Sequence, residues 1–163
     1  MTLVSSHGVP VRPTQHIRMA QGPVQPWAND EEAEEYAKNP KEFLLAKCAQ
    51  FMGAIELFRD NVMLATYYLP AFEILPGGRR FHRADVTLDE ATYQGKVGLV
   101  IAVGPLAFMD DGRLRFGGQR VDIGDWVYFD RHDGRQLTIN RVHCRRLRDV
   151  EVIGRASDPN LVY

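Results

Sequence analysis

Apolar and polar positions change their period twice along this chain, and the changes divide it into an arm, a helical segment and a β-rich body. Residues 1–28 hold Pro10, Pro13, Pro23 and Pro26, with Val and Gln between them and neither a helical nor an alternating period. Such a stretch buries little by itself and is expected to be extended. It reads either as a disordered tail or as a peptide arm that becomes ordered by lying on a neighbouring subunit, with Trp27 as an apolar anchor where it ends. A helix start follows at Asn29 or Asp30, where a capping oxygen and the early carboxylates of Glu31 and Glu32 suit free amides and the positive end of the helix dipole. That helix should stop near Asn39, which caps a second one with Pro40 in the first helical position and Glu42 in the third. Leu44, Cys48 and Phe51 share one face of this second helix, which closes near Gly53. The face packs on a core or, in the alternative, docks a partner.

From Ala54 onward the pattern becomes short β-rich runs divided by turns. The strand candidates are Ile55–Leu57, Val62–Tyr68, Lys96–Val103, Val121–Asp130, Gln136–Ile139, Val142–Leu147 and Glu151–Gly154. Asp110-Asp111-Gly112 and Asp133-Gly134 are turn sequences. Between Leu75 and Tyr93 the strand signal fails. Pro76-Gly77-Gly78, the basic run Arg79-Arg80-Phe81-His82-Arg83 and the acidic and threonine residues after it predict a long projecting loop. Short strands with glycine corners and no helical period between them imply a small barrel. The expected fold is therefore mainly β, a small β-barrel with an N-terminal extended arm and two short helices. Its expected parts are the arm 1–28, the helical segment 29–53, a barrel 54–155 with a long loop 75–93 and a hairpin loop 105–120, and a tail 156–163.

Composition narrows the class. A chain of 163 residues predicts one domain able to bury a core. With 45% hydrophobic and 25% charged residues and a mean hydropathy of −0.28, wholesale disorder, collagen-like repeats and a coiled-coil rod are excluded. The longest apolar runs, such as Val97–Val103, fall far short of the ~20 residues that span a bilayer. The N-terminus has no basic segment followed by an apolar stretch, so neither a signal peptide nor a membrane partner is expected. Twenty basic against 21 acidic residues leave a net charge of −1 and no global field for nucleic acid, so no specific nucleic-acid partner is expected. The charge is unevenly placed. Residues 1–28 contain no Asp or Glu, only Arg12 and Arg18, whereas Asp30, Glu31, Glu32, Glu34 and Glu35 arrive together.

Candidate chemistry is sparse. Cys48 and Cys144 are far apart in sequence and read as two reduced, packed thiols rather than a disulfide or a cysteine zinc site. No phosphate loop, dinucleotide fingerprint, nucleophile elbow or His-Glu-x-x-His helix is present. Asp130, His132 and Asp133 are the nearest approach to a cation or acid–base site, but strand neighbours alternate faces and Asp133-Gly134 marks a turn. His143 and Cys144 point to opposite faces for the same reason. Arg79, Arg80, His82 and Arg83, with Phe81 among them, could grip phosphate, and contact with acidic neighbours suits them better. Arg141, Arg145, Arg146 and Arg148 suit an intersubunit ion-pair surface better than a nucleic-acid patch. No catalytic residue, cofactor or metal is expected, and no enzyme.

Over residues 55–155 the chain resembles a known family. Leu57-Phe58-Arg59-Asp60-Asn61-Val62-Met63-Leu64 is similar to the opening strand of GroES-type co-chaperonins. Gly95-Lys96-Val97-Gly98-Leu99-Val100-Ile101-Ala102-Val103-Gly104-Pro105 resembles the strand that follows their mobile loop. Val121-Asp122-Ile123-Gly124-Asp125-Trp126-Val127-Tyr128-Phe129 resembles their Val-x-Val-Gly-Asp-x-Val-x-Phe segment, and the runs after it keep the family's order and spacing. The resemblance implies a GroES-like barrel, with residues 75–93 in the mobile-loop position and 106–119 in that of the roof hairpin. Those co-chaperonins dock through an aliphatic triplet after a Gly-Gly. Here Gly77-Gly78 is followed by Arg79-Arg80-Phe81, a poor fit for an apolar groove, and Val86-Thr87-Leu88 is the candidate substitute.

GroES-like proteins with such N-terminal additions and a tail like Asp158–Tyr163 resemble those encoded by tailed bacteriophages. The resemblance implies a virion structural protein assembled in the bacterial host cytoplasm, a capsid decoration or cement protein. Its partners would be the major capsid protein or other virion proteins and copies of itself. The alternative is a phage-encoded co-chaperonin capping a GroEL-like chaperonin. Trp27, Arg79, Arg80, Phe81, Arg83, Val86 and Leu88 are the expected partner-binding residues.

Overall fold

A computed structural model describes residues 25–82, 96–112 and 115–162. Helix α1 spans Asp30–Lys38 and α2 spans Pro40–Met52. Asn29 caps α1, its side chain accepting from the Glu32 N–H at 2.9 Å, and Asn39 caps α2 by accepting from Glu42 N–H at 3.2 Å. Both starts are where the capping residues and Pro40 place them. On α2, Phe43, Leu44, Cys48 and Phe51 are buried, so the apolar face packs on the core.

The strands are β1 (Asn61–Thr66), β2 (Phe72–Ile74), β3 (Arg80–His82), β4 (Val97–Val103), β5 (Trp126–Phe129), β6 (Arg135–Ile139), β7 (Val142–Arg148) and β8 (Val152–Ala156). Six of them form one antiparallel sheet in the order β6-β7-β1-β4-β5-β8, and β2 and β3 form a separate hairpin. The expected barrel is thus corrected to an open sheet: β6 pairs only with β7 and β8 only with β5, and the two edges do not meet. The protein is a small, mainly β protein with two short helices.

Both faces of the sheet are covered, which is why its central strands read as unbroken apolar runs. One face carries Met63, Ala65, Tyr67, Val97, Leu99, Ile101, Trp126, Val142 and Cys144 against the helices. The other carries Val62, Leu64, Val100, Val127, Phe129 and Leu147 against Val121 and the partly buried Ala107 and Phe108. Alternation of side chains along each strand sorts the residues between these two layers.

Several expected elements are displaced. Ile55–Leu57 is not a strand: Ile55 and Leu57 lie half-buried on the helix-side core, with no neighbouring strand to pair. The run Val121–Asp130 contributes only Trp126–Phe129, because residues 122–125 are spent on a turn in which Asp125 Oδ2 accepts from Asp122 N–H at 2.8 Å. That turn is sewn to β4, Gly124 N–H donating to Val100 O at 2.8 Å and Val100 N–H to Asp125 O at 2.9 Å. Within 105–120 the described residues form turns without strand pairing. The segment 75–82 is not wholly loop: Arg80–His82 pairs with Phe72–Ile74 across a turn closed by Leu75 N–H to Arg79 O at 2.8 Å. Glycine supplies the left-handed backbone of that turn, at φ +91° for Gly77 and +79° for Gly78.

Candidate functional site

Three surface features are built from residues that the sequence singles out. The first is the root of the N-terminal arm. Pro26 is buried and Trp27 half-buried. The Trp27 ring lies 4.9 Å from that of Tyr36, so the anchor at the end of the arm is seated on its own chain. Tyr36 is fully buried and bridges two elements: its hydroxyl donates to Tyr68 O at 2.7 Å and accepts from Tyr68 N–H at 2.9 Å. Its ring also meets Phe43 edge-on at 5.5 Å and Tyr67 at 6.3 Å. Nothing in the periodicity of the sequence marks this lock, because a tyrosine on a short acidic helix looks like a surface residue until Tyr68 is brought beneath it.

The second feature is a groove of about 550 Å³ between α1 and α2, lined by Glu32, Glu35, Lys38, Glu42, Phe43, Ala46 and Gln50 among others. Lys47 Nζ donates to Glu32 Oε1 at 3.0 Å on its wall. The Ala28 N–H, joined by the Lys47 ammonium, holds the Glu32 carboxyl below its usual range. Glu35 and Glu42 are exposed there and make no ion pair among the described residues. Beside it, Gln25, Pro26, Trp27 and Ala28 line a second depression with Asn140 and Arg141, and Lys47 and Gln50 border both.

The third feature is the β2–β3 hairpin. Arg79, Arg80 and Phe81 are exposed, Phe81 at 60%. Arg80 is ion-paired with Glu34, which also binds Lys38 at 3.0 Å, and its guanidinium lies 5.1 Å from the centre of the Phe72 ring. The expectation that this basic run meets acidic neighbours holds for Arg80, and the neighbour belongs to α1. The Lys38 hydrogen bond, the largest effect, holds the Glu34 carboxyl below its usual range; burial opposes it, and the charges of Arg80 and Lys38 add to it. Of the expected partner-binding residues, Trp27 is brought against α1, Arg80 pairs with Glu34 of α1, and Arg79 and Phe81 project from the hairpin. Arg83, Val86 and Leu88 lie outside the described residues, as does the arm before Gln25.

The remaining candidates resolve into structural contacts. Asp130, His132 and Asp133 sit in a turn closed by Asp133 N–H to Asp130 O at 2.9 Å, and His132 Nε2 accepts from Arg131 Nε–H at 3.0 Å. Among the described residues no three His, Cys, Asp or Glu side chains group as a metal site, and no helix is long and apolar enough to cross a membrane. The arginines of β7 do not form one surface. Arg145 is buried, its guanidinium 5.0 Å from the Phe129 ring centre and donating to the carbonyls of Arg131 and Asp133 at 2.8 and 2.6 Å. Arg146 donates to Asn61 Oδ1 at 3.1 Å, and Arg148 binds Asp60 at 3.0 Å. These three already have partners within the chain. A strand so rich in arginine places them on alternate faces, and each face offers an acceptor. Burial is the largest single effect on the Asp60 carboxyl and raises it, but the hydrogen bond and charge of Arg148, its own backbone N–H and Asp149 together leave the group below its usual range.

Cys48 and Cys144 are free, fully buried and part of the same core layer. Burial pushes the Cys48 thiol up to about 12, with the neighbouring Cys144 adding to the effect, and pushes Cys144 up to about 11. Since the thiolate is the reactive form, neither should react with a disulfide reagent at pH 8 in the native protein. Both should react in denaturant. Labelling of either thiol at a rate near that of a free cysteine would show that the helix-side core opens.

His143, on the opposite side of the strand, is half-buried beside the Tyr68 ring at 6.2 Å. Burial, with the charge of Arg145 adding to it, pushes its imidazole below the ordinary value. No family model matches this chain, and no curated protein matches it.

Proposed function

We propose that this chain is a non-enzymatic structural protein of a tailed-bacteriophage particle, with a GroES-like body, acting as a capsid decoration or cement protein. The β body serves as a rigid platform, and the arm and the loop 75–93 lie across neighbouring subunits. Many weak contacts repeated by symmetry then stabilise the shell without chemistry. The observation that carries the reading is the root of the arm. Burial of Pro26 and the contact of the Trp27 ring with the locked Tyr36 fix the point at which a proline-rich arm without carboxylates leaves the body. A tether fixed at one end transmits load to the sheet rather than unravelling α1. The resemblance of residues 55–155 to GroES-type proteins supports the class of body.

A co-chaperonin is the second reading, favoured by the apolar tip of the hairpin, where Ile74, Leu75 and Phe81 are exposed around Gly77 and Gly78. Quantitative mass spectrometry of purified particles, against the major capsid protein, separates the two. Copies in the hundreds are expected of a shell protein, and a dozen or fewer would place it at the neck or tail. Absence from particles but presence in infected cells would overturn the virion reading and require an assay of nucleotide-dependent chaperonin capping. Deletion of residues 1–26 is expected to abolish attachment to capsids while the body stays folded. Full occupancy by the truncated chain would refute the role of the arm.

A further inference from the structure

We infer that the groove between α1 and α2 is the docking site for the N-terminal arm, residues 1–24, of a second copy of this chain. The inference rests on the reading of the arm as reaching a neighbour and names the surface it reaches. Three observations converge on it.

The first is charge. The arm carries Arg12 and Arg18 and no carboxylate, whereas residues 29–53 carry six carboxylates against three lysines. On the groove wall Glu32 is already paired with Lys47, and Lys38 is held by Glu34, which also pairs with Arg80. Glu35 and Glu42 are left exposed on its walls without ion pairs among the described residues. Two planar guanidinium groups on a peptide suit two such carboxylates.

The second is shape and lining. The groove is open between two helices, and Phe43 and Ala46 lie among the polar residues that line it. A Val- and Pro-containing peptide in extended form places small apolar side chains and a low-entropy backbone into such a channel.

The third is where the chain leaves the body and how much of it lies beyond. At Gln25 it is beside Asn140 and Arg141 of the β6–β7 turn, in a depression that shares Lys47 and Gln50 with the groove. Twenty-four residues reach about 80 Å when extended, several times the length of a helix of 13 residues, which is about 20 Å. That surplus suits a neighbouring body.

The test uses the full chain. Its mass in solution is followed by light scattering across concentration, with three variants beside the wild type. In E35K/E42K the arm meets like charge. In A46W the groove is blocked at an exposed position without any change of charge. In R12E/R18E/E35K/E42K both partners are reversed. Self-association is expected to weaken about tenfold in the first two variants, to recover in the third, and to weaken with added salt. Unfolding midpoints unchanged from wild type show that the variants are folded.

The inference is overturned by a wild-type chain that stays monomeric, or by E35K/E42K and A46W variants that associate like wild type. To separate a neighbour's arm from the chain's own, R12C and E35C chains are mixed. A disulfide between the two chains is expected. If the double variant R12C/E35C closes within one chain at low concentration and the mixture gives none, the arm lies in its own groove and the inference fails. Particle copy number is read independently. A chain found in particles whose groove variants associate normally fails here alone. A chain absent from particles but showing the reversal pattern keeps the groove and loses the virion role.

Discussion

Tyr36→Ala is expected to destabilise the protein by about 3–5 kcal/mol, the range for removing a fully buried aromatic side chain from a packed core. Tyr36 is fully buried, and its ring touches Trp27, Phe43 and Tyr67. Removing it leaves a cavity where α1, α2 and the sheet meet. The same substitution removes the hydroxyl that both donates to and accepts from the Tyr68 backbone. Tyr36→Phe isolates that second contribution. It leaves the Tyr68 N–H and C=O without this partner in a buried place, at about 1–3 kcal/mol.

Urea unfolding measures both values. Tryptophan fluorescence adds a local readout, since one of the two tryptophans, Trp27, lies against this ring, and its emission should shift to the red in Tyr36→Ala before global unfolding. If Tyr36→Ala stays within about 1 kcal/mol of wild type, α1 is not held by this lock, and the arm has no fixed root.

Gly134→Ala is the second large effect, at about 3 kcal/mol. Gly134 has φ +73°, a left-handed conformation that costs an L-residue about 1–2 kcal/mol. A Cβ there would also press into the Arg146 carbonyl oxygen and the Leu147 side chain. Arg146 cannot give way easily, because it pairs with Arg135 in the β6–β7 ladder and with Met63 in β1. Overpacking of this kind adds about 1–3 kcal/mol.

The damage should spread along β6, whose Leu137 and Ile139 pack on the helix-side core. It should also reach the turn carbonyls of Arg131 and Asp133 that Arg145 binds. Gly112→Ala is the control. Its Cβ would meet open space, so a change within about 0.5 kcal/mol is expected. Equal stability of the two variants would show that the 131–134 turn does not hold β6 to the sheet.

These two positions differ in how far they were legible in advance. Asp133-Gly134 announces a turn by its residue types, and the left-handed glycine follows from local sterics. Tyr36 announces nothing, since its value arises from Tyr68, 32 residues away. The same division runs through the candidate surfaces. The end of the arm at Trp27 and the acidic character of α1 could be read from proline spacing and charge. The groove between the helices could not, because it exists only once Asn39 has turned one helix against the other and Lys47 has reached Glu32.

By itself the sequence determined what depends on near neighbours. Capping oxygens at Asn29 and Asn39 with Pro40 set both helix starts. Alternating and unbroken apolar runs set the positions of β1, β4, β6 and β7. Glycine corners set the turns. Tertiary structure decided what depends on distant partners. It stopped the run 121–130 from being one strand by tying Gly124 and Asp125 to Val100, and it paired Arg80–His82 with Phe72–Ile74. It kept the sheet open at β6 and β8, and it took Arg145 out of the surface to lie over Phe129. Local preference is settled by a few dihedral angles, whereas sheet order, closure and burial depend on which segments compete for the same hydrogen bonds and the same core.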